Sequence, residues 1–269
     1  MIVKEIKVKN IISKSNLPSA DYVINPYVGC SHACIYCYAR FMKKFTNHEE
    51  EWGKFVDIKI NAEELIPDNL ERYSGKSFFI SSVTDPYLHY EKEYMLTRKL
   101  LEKLVDIEAQ VDIQSKSDLI VRDIDVLKKF KSCKAGITIT TLNDVIRKEV
   151  EPYTANVEKR LRALETLNSS GIFTYAFIGP IFPYITDWRE IIEITKPFVK
   201  EYIFENLNIK GSIWKDIAVW LKQKHSELYD KYLDIYFNNS DYWNVVEKEI
   251  SEYCMENGIK HRISFHHGE

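Results

Sequence analysis

Cys30, Cys34 and Cys37 lie in the run Gly-Cys-Ser-His-Ala-Cys-Ile-Tyr-Cys-Tyr-Ala-Arg, a C-x3-C-x2-C spacing with aromatic Tyr36 just before the third thiol. Thiolates are soft ligands that suit iron-sulfur clusters. Three of them can hold three irons of a [4Fe-4S] cube and leave the fourth iron without a protein ligand. An iron with an open position is a place where a second molecule can bind and react. The competing chemistry is zinc, which normally takes four ligands, often as two C-x2-C pairs. The remaining cysteines, Cys133 and Cys254, are isolated in the sequence, and His32 sits too close between two cysteines to serve as a fourth ligand. His32 reads instead as a packing or hydrogen-bonding group beside a cluster.

The elements that must carry these thiols read as alternating strands and helices. Residues 21–29 are extended and deliver the cysteine loop, and 34–44 begin a helix. Strands follow at 77–83, 109–114, 135–141, 172–178, 201–205 and 233–237, with a last extended segment at 259–265. Helices are expected at 94–104, 121–130, 157–168, 188–197, 214–224 and 242–257; the helix over 157–168 carries Leu161, Leu164 and Leu167 on one face and stops near Gly171. Gly179-Pro180 should break its strand.

Six β-then-helix units in sequence imply a parallel α/β sheet with right-handed crossovers, either curled into a barrel or open. In both cases ligands gather at the carboxyl ends of the strands. Ser82, Thr84 and Asp85 lie at the end of the 77–83 strand, and Lys116 at the end of the next. Thr138 and Thr140 are two apart, hence on one strand face. They serve either as ligand contacts or as β-branched filling.

Composition is that of a globular protein, with 45% hydrophobic and 29% charged residues. The net charge of -3 gives no global attraction to nucleic acid or to an anionic membrane. The alternating apolar and charged residues 1–9 lack the apolar core of a signal peptide. No run approaches the roughly 18 apolar residues of a membrane span. A cytoplasmic protein is expected, and an odd number of cysteines, five, argues against a disulfide framework. With no repeat, low-complexity tract or linker, residues 1–269 read as one domain.

The cysteine motif after a first strand resembles the radical S-adenosylmethionine superfamily. A longer set of blocks resembles its spore photoproduct lyase-like subgroup, and within it the "radical SAM mobile pair" proteins. The blocks are Asn25-Pro26-Tyr27 with Gly29, the cysteine run to Arg40, Thr84-Asp85-Pro86-Tyr87 with Glu91, Ser115-Lys116-Ser117 with Arg122-Asp123, Glu151-Pro152, Arg160, and Pro180 with Pro183. The resemblance implies a partial (β/α)6 TIM-type barrel over about residues 20–210, with a short C-terminal α/β extension over about 211–269. It implies that Cys30, Cys34 and Cys37 ligate a [4Fe-4S] cluster whose open iron is chelated by S-adenosylmethionine. The reduced cluster would then cleave the sulfonium to a 5′-deoxyadenosyl radical that takes hydrogen from a substrate.

In such a protein Tyr36 would lie against adenine, and Lys116 would pair the methionyl carboxylate. Ser82 and Thr84 would meet the amino group or ribose, and Thr138 or Thr140 ribose or carboxylate. Asp85 either accepts from the cofactor amine, positions substrate, or makes a turn. Arg122, Glu151 and Arg160 are family landmarks or members of a structural ion pair. An electron donor such as flavodoxin or ferredoxin is implied, and a peptide or partner protein is the expected substrate class. Two alternatives are a nucleic-acid modifying or repair enzyme with the same chemistry, and a non-catalytic iron-sulfur or zinc protein.

Three departures from the subgroup narrow this reading. Residues 80–84 contain no cysteine, where spore photoproduct lyase has its hydrogen donor. His89 replaces a proline, as a substrate group, a general acid-base or a surface histidine. Cys133 and Cys254 are too few for a second fully cysteine-ligated cluster, so one cluster is expected. His266 and His267 receive no role.

Overall fold

In the computed structural model, residues 1–67, 69, 71–238 and 240–266 are described. The strands are β1 (Ile2–Ile6), β2 (Ile12–Lys14), β3 (Tyr22–Ile24), β4 (Tyr27–Gly29), β5 (Phe55–Lys59), β6 (Ser77–Ile80), β7 (Gln110–Ser115), β8 (Ser132–Thr138), β9 (Phe173–Ile181), β10 (Glu201–Asn206) and β11 (His261–Ile263). The helices are α1 (Glu91–Tyr94), α2 (Leu96–Leu104), α3 (Ile124–Leu127), α4 (Asp144–Val150), α5 (Val157–Ser169), α6 (Trp188–Thr195), α7 (Ile213–Lys224), α8 (Ser226–Phe237) and α9 (Tyr242–Glu256).

The main sheet has the order β11-β10-β9-β8-β7-β6-β3-β2. Every neighbouring pair from β3 to β11 is parallel, and β2 joins antiparallel at one edge. Strands β3, β6, β7, β8, β9 and β10 are added in chain order on the same side. A parallel sheet wound in one direction curls toward a barrel instead of doubling back. Since β2 and β11 remain edges, the barrel is partial, as expected. Residues 135–138 of β8 are all buried, the pattern of a strand covered on both faces. A smaller sheet, β1-β5-β4, lies beside it and carries the chain into the cysteine loop. Among the described residues no helix is long and apolar enough to cross a membrane.

Helix α5 forms where periodicity places it. Val157, Arg160, Ala163, Leu164 and Leu167 are buried on one face, and the Asn156 side chain accepts from the Lys159 amide at 2.9 Å. Gly171, at φ +83°, ends it. Four expectations differ. The stretch expected as a strand at 233–237 is the end of α8, whose buried Leu228, Tyr232 and Ile235 recur at helical spacing. Residues 34–44 form no α-helix; a 3-10 segment runs over Tyr38–Phe45. Residues 121–130 divide into a 3-10 segment, Asp118–Asp123, and the short α3. Strand β9 passes through the cis Gly179-Pro180 bond and ends at Ile181, which pairs with Asn206 past a register shift.

Gly29, at the end of β4, is required by its surroundings. Its φ is +81°, and a methyl group there would lie 2.3 Å from the Phe55 carbonyl oxygen. Gly171 has a similar φ with nothing within 4 Å. Gly171→Ala should therefore cost only the left-handed penalty, about 1–2 kcal/mol. Gly29→Ala should add an overpacking cost of about 1–3 kcal/mol. Urea unfolding midpoints compare the two; equal losses would mean that β5 yields to the added methyl.

Candidate active site

The cysteine loop leaves β4 at Gly29 and turns at Ala33, a left-handed residue at φ +53°. It is held from three sides. The Ile35 amide donates to the Val150 carbonyl at 3.0 Å, at the end of α4. The Arg40 guanidinium donates to the Cys37 carbonyl at 3.1 Å and to Asp216 Oδ2 of α7 at 2.7 Å. Ile35 and Tyr36 pack on a second apolar core built from Val150, Phe182 and the inner faces of α7 and α8.

Cys30 and Cys34 are buried and Cys37 partly so. Burial, then the neighbouring Cys37 and Asp85, push the Cys30 thiol up to about 12. Burial and the nearby Glu151 raise Cys34 as well. The loop thus concentrates thiols that stay protonated until a cationic group binds them and displaces the protons. Among the described residues, no three His, Cys, Asp or Glu side chains are gathered for a single metal ion. The fit to a cluster rests on three thiols sharing one buried loop.

Asp85 fastens the rim. Its Oδ1 accepts from Ser115 Oγ at 2.7 Å and the Tyr87 amide at 2.8 Å. Its Oδ2 accepts from the Lys116 amide at 2.8 Å and lies 3.4 Å from His32 Nδ1. These contacts use the roughly four acceptor sites of a carboxylate. Thr84 Oγ1 donates to the Gly29 carbonyl at 2.6 Å. Ser82 gives its carbonyl to the Tyr38 hydroxyl, and its own hydroxyl meets Asn25 Nδ2 only at 3.5 Å. Ser81 adopts φ +68°, and among the described residues its buried hydroxyl has no partner.

Lys116 follows β7 at this rim. Among the described residues its ammonium has no carboxylate within 4.0 Å; it stands 5.8 Å from the Tyr36 ring centroid. Burial opposes its charge, but Cys34 and Glu151 outweigh burial and raise its pKa.

Glu151, fully buried, ties loop to barrel. It accepts from the Tyr36 hydroxyl, from Thr140 Oγ1 at 2.7 Å, and from Arg160, which itself donates to the Thr138 carbonyl at 3.0 Å. Thr138 Oγ1 accepts from Gln114 Nε2 at 3.2 Å. The Tyr36 ring meets Phe182 edge-on, centroids 5.6 Å apart. Burial alone would raise the Glu151 carboxyl; Arg160, Lys116 and the Tyr36 hydroxyl overcome it and hold the pKa at about 2.

The structure thus brings Tyr36, Ser82, Thr84, Asp85, Lys116, Thr138 and Thr140 to the barrel end that holds the cysteines. Arg122 belongs elsewhere, bonded to Glu91 and Asp123. His89 is exposed, with Nδ1 3.4 Å from Ser31 Oγ. The His266 amide docks on Asn206, and His267 lies outside the described residues. Cys133 is at the opposite end of β8, and Cys254 lies in the core. Asn25, named from sequence only as part of a family block, accepts from the Val83 amide through its Oδ1 at 3.2 Å; Trp52 was not singled out from sequence. A lone polar or aromatic residue in an irregular segment carries no periodic signal.

A family model described as the Radical SAM superfamily matches residues 24–195. An uncharacterised protein of Methanocaldococcus jannaschii is 44% identical over 226 residues, 84% of this chain and 85% of its own. Among solved structures, spore photoproduct lyase complexed with dinucleoside spore photoproduct is similar at TM-score 0.63 and 13% identity, covering 87% of this chain and 79% of that one. SuiB of Streptococcus suis, bound to its precursor peptide SuiA, is similar at TM-score 0.55 and 14% identity, covering 91% and 48%. Likeness at these identities is likeness of fold.

Glu151→Gln leaves Arg160 buried without its counter-charge and should cost about 3–5 kcal/mol in chemical denaturation. The wild-type carboxyl, depressed from about 4.3 when unfolded, gives stability that is complete above that pH and lost as pH falls toward about 2. A wild-type stability profile flat through this window, or one with the same slope in Glu151→Gln, would remove Glu151 from this role.

Proposed function

This chain belongs to the radical SAM superfamily, and on that premise we propose that it is a radical enzyme. In this reading Cys30, Cys34 and Cys37 hold one [4Fe-4S] cluster, and the barrel mouth seats S-adenosylmethionine. Together, when bound, these groups supply reductive cleavage of the sulfonium and a 5′-deoxyadenosyl radical that removes hydrogen from a substrate.

The observation that carries the reading is the Lys116 ammonium: partly buried at the strand end, beside the cysteine loop, with no carboxylate within 4.0 Å among the described residues. A cation so placed favours the carboxylate of a methionyl group. Tyr36, its hydroxyl fixed by Glu151, offers its ring to adenine. Ser82, only weakly engaged, is free to turn its hydroxyl toward the amino group or ribose. Thr84 and Asp85 serve by bracing the rim, and Thr138 and Thr140 line the wall above it. The extension over 211–269 works as part of the same unit, since Asp216 anchors Arg40 of the loop. A flavodoxin or ferredoxin supplies the electron. We assign the substrate to peptides or proteins; the lack of a cysteine at 80–84 speaks against lesion repair with a thiol donor, and SuiB, bound to a precursor peptide, shares the fold.

Anaerobic reconstitution followed by dithionite and S-adenosylmethionine should yield 5′-deoxyadenosine. Replacing any of the three cysteines with alanine should abolish both the cluster absorbance and this product. Lys116→Ala should keep the cluster but weaken S-adenosylmethionine binding about 10- to 100-fold, the loss of one charge-assisted hydrogen bond. A loaded cluster that produces no 5′-deoxyadenosine would refute the enzyme; unchanged affinity in Lys116→Ala would refute its assigned partner.

A further inference from the structure

Trp52 lies in the turn between the 3-10 segment and β5, and among the described residues its buried indole N–H has no hydrogen-bond partner. An unmade buried hydrogen bond costs about 1–3 kcal/mol, so the position of this donor needs a reason. Its surroundings place it on the cysteine loop. The adjacent Gly53 has φ +92°, and a methyl group there would lie 2.7 Å from the Ala33 Cβ; the turn is pressed directly against the loop between Cys30 and Cys34. The indole meets Phe55 edge-on, with centroids 5.8 Å apart and planes at 88°. It packs on the apolar group that includes Cys30, Tyr27 and Val56. The Trp52 indole and the Ala39 amide both lie near enough to the Cys37 sulfur to act on it as donors. The other orphaned indole N–H, that of Trp243, sits in the main core among α9 and Phe265.

We propose that the Trp52 N–H donates to the Cys37 sulfur once that sulfur ligates the cluster, and that this bond raises the cluster's reduction potential. The inference rests on the cluster reading above. Reduction adds negative charge that spreads onto the ligand sulfurs. A donor aimed at one of them stabilises the reduced state more than the oxidised one, and hydrogen bonds to sulfur are among the groups that set cluster potentials. Cys37 is the least buried of the three cysteine residues, so the loop comes closest to water there. A donor on a rigid ring, held by Phe55, keeps its geometry where a solvent molecule would not. Trp52 would thus be a positioning residue for electron entry, acting through the ligand sulfur.

Trp52→Phe keeps a ring against Phe55 and removes the N–H. Potentiometric titration of the reconstituted cluster, followed by electron paramagnetic resonance without S-adenosylmethionine, should show a lower potential at unchanged iron content. A tenfold fall in the reduced-to-oxidised ratio corresponds to 59 mV for one electron. The wild-type protein provides an independent reading if the variant does not assemble. With indole-15N tryptophan, electron-nuclear double resonance of the reduced cluster should detect a nearby nitrogen and an exchangeable proton. An unchanged potential in the variant, or no such coupling in the wild type, overturns the proposal while leaving the cluster reading intact. Failure of the wild type to assemble any cluster overturns both.

Discussion

A carboxylate with no exposure to solvent, Glu151, joins the cysteine loop to the barrel. Burying one charge costs several kcal/mol unless it is matched. Here Arg160 supplies the matching charge, and the hydroxyls of Tyr36 and Thr140 occupy the remaining acceptor positions. Three separate elements meet at this carboxylate: the loop through Tyr36, the end of β8 through Thr140, and α5 through Arg160. Arg160 also holds the Thr138 carbonyl. Remove the charge and each element loses the contact that fixes it relative to the other two. Such a pair adds little net stability compared with apolar packing. Its value lies in fixing one arrangement.

Asp85 does the same at another point of this rim, binding the ends of β6 and β7 together beside His32. Between these two carboxylates lies Lys116, whose amide Asp85 holds and whose ammonium Glu151 helps keep charged. The extension closes the third side, with Asp216 on Arg40 and Trp220 packed on Phe182, which in turn meets Tyr36. The loop is thus held by contacts to the barrel and the extension that involve no ligand, while burial favours the protonated form of its thiols, which exchange protons for metal. Binding energy need not be spent on ordering the loop, which is the gain from preorganisation.

Much of this was legible in the sequence where local chemistry and position agree. The cysteine spacing, the polar residues at strand ends and the one-sided apolar pattern of α5 all specify what they form. The failures have physical causes. Leu-Asp-Ile-Tyr-Phe at 233–237 alternates like a strand, yet the burial of Leu228 and Tyr232 on α7 and of Ile235 in the main core follows a helix repeat set by packing. Gly179-Pro180 reads as a breaker, but β10 pairs with β9 as far as Ile181. β1 and β5 pair across some fifty residues, a distance at which no local pattern reports. Apart from the Tyr87 amide, which makes the turn legible at Asp85, the partners of Asp85 and Glu151 are tertiary, and so is the seat of Trp52: side chains far apart in the chain acquire their roles only when the sheet has formed.

The central claim is that this loop presents a cluster with an open iron to S-adenosylmethionine. Its most direct test is the electron paramagnetic resonance spectrum of the reduced, reconstituted protein recorded before and after S-adenosylmethionine is added. Coordination at the open iron predicts a distinct spectrum with shifted g-values on addition. A cluster whose spectrum is indifferent to S-adenosylmethionine, or a protein that takes up zinc and assembles no cluster, would contradict the account.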